Sequence, residues 1–446
     1  MTTTSATSAN RTAAAKLKAV AAPAVAPRVA KDRVIGGAAA LPKDVFVSPS
    51  KFNEVTFHVS PEESKQALLD AINGAKRSFY IETFIWHDDE AGREIVDALG
   101  KRKQAAEAKG EAFDVKVLID YTGLRGSAGG LSDTKILDRF KEWGIEVKEF
   151  AKGLIDWKNR KIAPITHRKL YIADGEKFIT GGRNIGNEYI NPTYTLKNGN
   201  QEASWNDLLY TVKGQETGRV LDEFFTNWER AGGQRPKSMP LVVPALKGGG
   251  AQIQTVTTNP HTDAKGIREA HTKLIAGAKK EIVAMYPYFS DDTLISQLIA
   301  AKKANPKLSI KVIMPSAKEE SHEGSIYGSL NRESARQLLA AGIEVRLFGG
   351  GMVNGQEVQR FSHMKGMVVD GQILSIGSAN ADARTYNDNH ELNTLIADSK
   401  TVKDYVAKVV TPNWTQAKPI TLAELSQDSY WERFKQKVLE AVDLFL

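Results

Sequence analysis

The chain contains no cysteine, which excludes disulfides, Cys-ligated zinc and thiol nucleophiles and leaves the redox compartment undecided. No stretch reaches the 18 or so uncharged apolar residues of a membrane-spanning helix, so an integral helical membrane protein is excluded. Histidine is scarce, with 8 in 446 residues. A charge excess is also missing from most of the chain. The formal charge is +7, but residues 1–41 hold six Lys or Arg against Asp32 alone, which leaves the rest only +2. A body so close to neutral is not a DNA-coating domain. A tether through the basic tail to anionic lipid or nucleic acid stays open.

What is present is ordinary soluble composition, 41% hydrophobic and 25% charged, at a length that suits two or three domains. Residues 1–50 are rich in Ala, Thr, Ser and Val and interrupted by Pro23 and Pro27, and they read as a disordered basic tail. The short apolar stretch from Ala19 to Pro27 makes a poor secretion signal. Cytoplasmic, peripheral-membrane and secreted locations all remain open. Ser60-Pro61-Glu62-Glu63 is a capping box with proline at the first helical position, and the apolar spacing behind it predicts a helix to about Lys76. Strands are predicted over 79–85 and 115–119, with a helix capped by Asp88 or Asp89 between them, a βαβ rhythm.

The same order returns about 200 residues later. Gly144-Ile145-Glu146-Val147 recurs as Gly342-Ile343-Glu344-Val345, and Lys116-Val117-Leu118-Ile119 is answered by Lys311-Val312-Ile313-Met314. One long duplication, as opposed to many short repeats, indicates two similar α/β lobes, each a mixed sheet flanked by helices. The first is predicted over 51–232 and the second over 253–446. An amphipathic helix through Val220, Leu221, Phe224, Phe225 and Trp228 ends the first, and a Pro/Gly-rich linker, 233–252, joins them. Its triple glycine, 248–250, lacks the Lys-Ser/Thr of a phosphate loop and reads as connector.

Two of the histidines fall at matching places in the repeat. His167-Arg-Lys169 is followed by Asp174 and by Gly181-Gly182-Arg183-Asn184; His363-Met-Lys365 is followed by Asp370 and by Gly377-Ser378-Ala379-Asn380. Such a pattern arises by chance on the order of once per ten thousand positions, so two in register are a constellation. On a strand, His-x-Lys puts an imidazole and an ammonium on one face. Lys and Asn suit a phosphate, a neutral imidazole can attack phosphorus, and a protonated one can protonate a leaving oxygen. Asp174-Gly175 and Asp370-Gly371 read as hairpin turns, which makes both aspartates look structural. His58, His87, His261, His271 and His390 default to satisfied core residues. No Glu or His stands at ligand spacing around either motif, and His322-Glu323 lacks the second His of a zinc helix, so no metal is expected.

These motifs resemble the phospholipase D superfamily, whose mark is two His-x-Lys-x4-Asp motifs. The likeness to its bacterial cardiolipin synthases is closer. It rests on Thr166-His167-Arg168-Lys169, Gly182-Arg183-Asn184-Ile185, Glu188-Tyr189, Trp205-Asn206-Asp207, Pro287-Tyr288-Phe289, and Asp382, Arg384, Asn389 and Glu391 after the second motif. It spans about residues 55–446. The resemblance implies one site at the pseudo-twofold interface of the lobes, working without metal or cofactor. In it both motifs count as the catalytic unit: His167, Lys169, Asp174, His363, Lys365 and Asp370. His167 would be the nucleophile and His363 the general acid and base, Lys169, Lys365, Asn184 and Asn380 would bind phosphate, and Asp207 and Glu391 would orient the imidazoles. The expected partners are a phospholipid and an acceptor alcohol or water. With both motifs in one chain a monomer suffices, and the alternative of a superfamily nuclease acting on nucleic acid, typically a shorter single-motif chain, is not favoured. Two segments are candidate contacts with anionic membrane: the basic tail, and a C-terminal helix with Trp431, Phe434, Val438, Val442 and Phe445 on one face beside Arg433, Lys435 and Lys437. The paired N-terminal membrane helices of many cardiolipin synthases are missing here, and the segment between Glu188 and Trp205 is longer than expected.

Overall fold

In the computed structural model the described residues are 43, 45–126, 133–152, 164–195, 199, 201–237, 250–316, 322–353, 356–358 and 360–427. Residues 1–42 of the basic tail, most of the Pro/Gly-rich linker and the C-terminal segment with Trp431 and Phe434 lie outside them. The end of the stretch read as disordered tail is instead ordered: Val45 and Phe46 are buried in an apolar cluster with Val256 and Ile267, because their side chains find an apolar surface there, and Ser50 opens the first strand.

Seven strands of the first half enter the main sheet: β1 (Ser50–His58), β2 (Ser78–Thr83), β3 (Asp114–Asp120), β4 (Glu146–Phe150), β5 (Leu170–Ala173), β6 (Lys177–Gly181) and β7 (Leu209–Lys213). The second half repeats them in order: β8 (Ala251–Asn259), β9 (Glu281–Met285), β10 (Ser309–Pro315), β11 (Glu344–Phe348), β12 (Gly366–Val369), β13 (Ile373–Gly377) and β14 (Glu391–Ala397). All belong to one 16-stranded sheet, completed by two short edge strands, Ala264–Lys265 and Lys418–Pro419. From the seam outward the order is β1-β7-β6-β5-β2-β3-β4 on one side and β8-β14-β13-β12-β9-β10-β11 on the other. Each half is therefore a mixed sheet, with β2, β3 and β4 parallel and the inner strands antiparallel, and likewise in its copy.

Local chemistry explains the elements. Ser60 accepts from the Glu63 amide while the Glu63 carboxylate accepts from the Ser60 amide, which starts α1 (Pro61–Gly74) as predicted. Asp89 caps α2 (Glu90–Glu107) through the Gly92 amide. The helix predicted from Val220 to Trp228 is α3 (Thr217–Arg230), and all five of its predicted apolar residues are buried. The copies α4 (Gly266–Gly277) and α5 (Asp292–Ala304) stand where α1 and α2 stand in the first half. Helices cover both faces, so β5 and β12 are buried at every position.

The seam is where the halves become one sheet. Strands β1 and β8 pair antiparallel, Asn53 opposite Ala251. The buried Asn53 amide donates to the Ala251 carbonyl, and its oxygen accepts from the Glu216 amide. The Tyr210 hydroxyl of β7 donates to the Ile376 carbonyl of β13 at 3.0 Å. Below them one apolar cluster takes Phe57, Phe224 and Trp228 from the first half and Met285, Met364 and Tyr405 from the second.

Candidate active site

Both His-x-Lys segments precede buried strands, His167 before β5 and His363 before β12, and meet the other half through their backbones. The His167 amide donates to the His390 carbonyl and the His390 amide to the Ile165 carbonyl. Reciprocally, the His363 amide donates to the Asn206 carbonyl and the Asn206 amide to the Phe361 carbonyl. Each motif is thereby stitched to the segment that carries the other half's acid.

The side chains complete the exchange. His167 Nδ1 lies 3.0 Å from Glu391 Oε1, and His363 Nδ1 lies 2.7 Å from Asp207 Oδ2. Since the carboxylates accept, Nδ1 of each ring carries the proton and Nε2 keeps its lone pair. The Glu391 carboxylate also accepts from the Ser378 hydroxyl at 2.5 Å. Asp207, one methylene shorter, sits against Gly182, where a Cβ would come within 2.3 Å of its Oδ2. An aromatic ring braces each imidazole: Phe84 for His167, with ring centroids 5.3 Å apart, and Trp205 for His363, also 5.3 Å. The His167 side chain is the more open, 12% exposed against 5%.

The lysines lie beside the imidazoles. Lys169 Nζ donates to its own motif's His167 carbonyl at 2.7 Å, and Lys365 Nζ to the His363 carbonyl at 2.9 Å. Burial is the main force on the imidazoles: it lowers His167 to about 4, helped by the Lys169 and Lys365 ammoniums and opposed by Glu391. Burial and Lys365 bring His363 to about 3 against the pull of Asp207. Burial also holds Lys169 well below its ordinary range. Asp207, although buried, is kept below the usual carboxylate range by Lys365 and His363. The site thus presents two neutral imidazoles between buried carboxylates and lysines.

The predicted site residues divide into two groups. His167, Lys169, His363, Lys365, Asp207 and Glu391 are brought together. Asn184 and Asn380 are buried on the loops after β6 and β13; the Ile85 amide holds Asn184 Oδ1 at 3.3 Å, whereas Asn380 Oδ1 has no hydrogen-bond partner among the described residues. Asp174 and Asp370 are not brought to the imidazoles. They lie past the far ends of β5 and β12, in turns with φ of 56° and 54°, and each carboxylate accepts three backbone amides: Lys76, Arg77 and Ser78 for Asp174, and Lys279, Lys280 and Glu281 for Asp370. They tie each hairpin to the start of β2 or β9.

Sequence reasoning missed several charged groups. Arg183 is fully buried and donates to the carbonyls of Val59, Tyr189, Trp205 and Asp207, which fixes the backbone that carries Asp207. Glu82 and Arg168 are buried beneath the first motif. Of the histidines read as core, His58 and His271 have partners, Thr211 for the first and Tyr386 and Ser375 for the second. His87 instead lies between Asp133 and Glu188, at 2.8 and 2.7 Å; burial pulls it down, but the two carboxylates push it up to about 10. Arg168 and Arg183 stand inside the motifs quoted for the resemblance, but their burial and partners have no signal short of the fold, since a buried charge and a solvated one are the same letter. Among the described residues no three His, Asp or Glu are grouped to hold a metal ion, and no helix is long and apolar enough to cross a membrane.

Comparison with known proteins gives this geometry its relatives. The family described as "Cardiolipin synthase, PLD-like domain" matches twice, over residues 68–204 and 272–410. The cardiolipin synthase of Listeria welshimeri is 27% identical over 388 residues, covering 86% of this chain and 74% of that protein. The major cardiolipin synthase ClsA of Bacillus subtilis is 27% identical over 394 residues with the same coverage. The crystal structure of a phosphatidylserine synthase from Haemophilus influenzae superposes with a TM-score of 0.67 at 18% identity, over 88% of this chain and 94% of that one, and so shares the fold. Two family matches, one on each half, the first containing His167 and the second His363 and Glu391, place the chain in the phospholipase D superfamily, among the cardiolipin synthase-like proteins.

Proposed function

We propose that the chain transfers a phosphatidyl group from a phospholipid to an alcohol through a phosphohistidine intermediate. The observation that carries this reading is the crossed pairing, in which each imidazole is oriented by an acid from the other half. It leaves two Nε2 atoms available for phosphorus chemistry. The relatives named cardiolipin synthase supply the substrate class.

In the first step the neutral Nε2 of His167 attacks phosphorus and the P–O bond to the departing alcohol breaks, with His363 delivering a proton to that oxygen. In the second, His363 removes the proton of the incoming alcohol, whose oxygen attacks the phosphohistidine and releases His167. His167 is assigned the attack because it is the more open of the two. The ammoniums of Lys169 and Lys365 and the amides of Asn184 and Asn380 are assigned to the phosphate oxygens.

The acid role needs a protonated His363, whereas the protein's own groups hold it neutral. Substrate works against this. Burial lowers His363 most, and Lys365 and Lys169 add to it; a bound phosphodiester anion offsets the two lysines and so raises the imidazole's affinity for the proton it must deliver. Water in place of the acceptor alcohol would make the same site a hydrolase.

The test is to incubate the purified chain with phosphatidylglycerol vesicles and identify the products by mass spectrometry. The expected products are free glycerol and a lipid with two phosphatidyl groups. Phosphatidic acid alone would assign hydrolysis, and unchanged lipid would overturn the reading.

A further inference from the structure

The two halves repeat the same strands but support their histidines differently. In the first half Thr166 and Arg168 flank His167 in the extended segment that leads into β5. Both reach buried acids. Thr166 Oγ1 donates to Glu82 Oε1 at 2.5 Å, Asn227 Nδ2 donates to the same oxygen at 2.7 Å, and Arg168 NH1 stands 4.0 Å from Glu82 Oε2. Arg168 NH2 also donates to Glu223 Oε2 at 2.8 Å, and the Thr166 amide to Asp120 Oδ2 at 2.8 Å. Glu82, Asp120, Thr166, Arg168 and Asn227 are all fully buried.

The repeat provides the comparison. Glu82 on β2 pairs with Leu170 on β5; at the matching register Met285 on β9 pairs with Gly366 on β12. Arg168 corresponds to Met364. The second half therefore places two methionines, both in the central apolar cluster, where the first places a buried carboxylate and guanidinium. The same backbone folds either way, so the fold does not require the ion pair. A buried pair costs desolvation that well-packed apolar residues avoid, which calls for a different reason for its presence on one side only.

We propose that Glu82 and Arg168 are positioning residues for His167: they pin the strand on both sides of the nucleophile, a restraint that the half carrying the acid–base His363 does without. The nucleophile must meet phosphorus at a fixed distance and angle, so a displacement of about 1 Å costs on the order of a hundredfold in rate. The acid–base partner transfers a proton over a hydrogen bond and tolerates more play. This inference rests on His167 being the attacking residue.

The test transplants the second half's solution, Glu82→Met with Arg168→Met, and uses a soluble diester, bis(4-nitrophenyl) phosphate, beside phosphatidylglycerol vesicles. The expected result is a Tm within about 5 °C of wild type or higher, since an ion pair is exchanged for apolar packing. With it kcat should fall at least about tenfold while KM stays within about twofold, the pattern of lost positioning. Thr166→Val, which removes one strand anchor and no charge, should lower kcat about threefold and serves if the double variant does not fold. Hydrogen exchange gives a reading independent of turnover: the His167 amide should exchange faster in either variant and the His363 amide should not. A folded double variant with kcat within twofold of wild type, or unchanged exchange at His167, overturns the proposal. A wild-type chain that cleaves the soluble diester but not the vesicles would sink the lipid reading alone.

Discussion

At the scale of single residues, the proposed mechanism makes both histidines of the crossed imidazole–carboxylate pairs indispensable. On it, His167→Asn removes the nucleophile and His363→Asn the proton carrier for both steps. Each should reduce turnover of phosphatidylglycerol by at least a thousandfold, in line with the loss of a nucleophile or acid–base group. Retention of more than about a tenth of the rate by either variant would contradict the two-histidine mechanism. The buried imidazoles also set an acid limit to stability. His167 is lowered to about 4, His363 to about 3 and His271 to about 4, all by burial. Below the ordinary imidazole value of about 6.5 the unfolded chain takes up protons that the native chain refuses, so the penalty is absent above that pH and grows as pH falls toward 4. Each such histidine costs roughly 1.4 kcal/mol per pH unit in that window. Tm should fall steadily from pH 6.5 to 4.5, and less steeply in His271→Asn. His87, raised to about 10 by Asp133 and Glu188, acts in the opposite sense, its contribution present below about 6.5 and lost as pH rises through 10.

At the scale of elements, the turns and loops around the strands are matched to the acids they serve. Gly182 packs against Asp207 where its counterpart Ser378 donates to the longer Glu391. Gly182→Ser should push Asp207 off His363 and cut kcat more than about tenfold while the chain stays folded, as checked by steady-state kinetics and circular dichroism. Asp174→Ala should do the reverse: three backbone amides lose a charged acceptor, stability falls by about 2 kcal/mol, and the rate per folded molecule at low temperature is kept. Much of this level could be read in the letters. Ser60 and Glu63 announce α1, the Asp-Gly pairs announce the two hairpins, and the duplicated His-x-Lys announces the site because chance does not repeat it at 196 residues' distance. Glu82, Arg168 and Arg183 could not be read in this way. They have no copy in the second half, and only the pairing of β2 with β5 brings Glu82 under the motif. The β1–β8 seam is equally silent, since pairing between distant strands leaves no local pattern.

At the scale of the whole molecule, the two halves share one 16-stranded sheet, and the sequence of residues 1–41 carries +5 of the chain's +7. Basic residues near an anionic surface contribute about 1 kcal/mol each. Full-length protein should therefore float with phosphatidylglycerol vesicles in low salt and release as salt rises, and deletion of residues 1–41 should weaken flotation. Equal flotation would leave membrane capture to other surfaces. Catalysis itself should survive EDTA, since the assigned steps use only imidazoles, ammoniums and amides; full loss with rescue by one divalent ion would assign them to a metal instead.

The exchange of acids between the halves also has a consequence for the life of the polypeptide. A ribosome that has finished the first 237 residues has made His167 and the acid that pairs with His363, and no matched pair. The same holds for any fragment left by a protease cutting between the halves, or for a gene shortened to one copy. Such a product holds a motif whose imidazole nothing orients. On the proposed mechanism, phosphodiester cleavage begins only when β14 has brought Glu391 to His167. The arrangement works as a completeness check on the chain, and it binds the two copies of the duplication to a shared fate, since neither can be lost or drift alone without disarming the other.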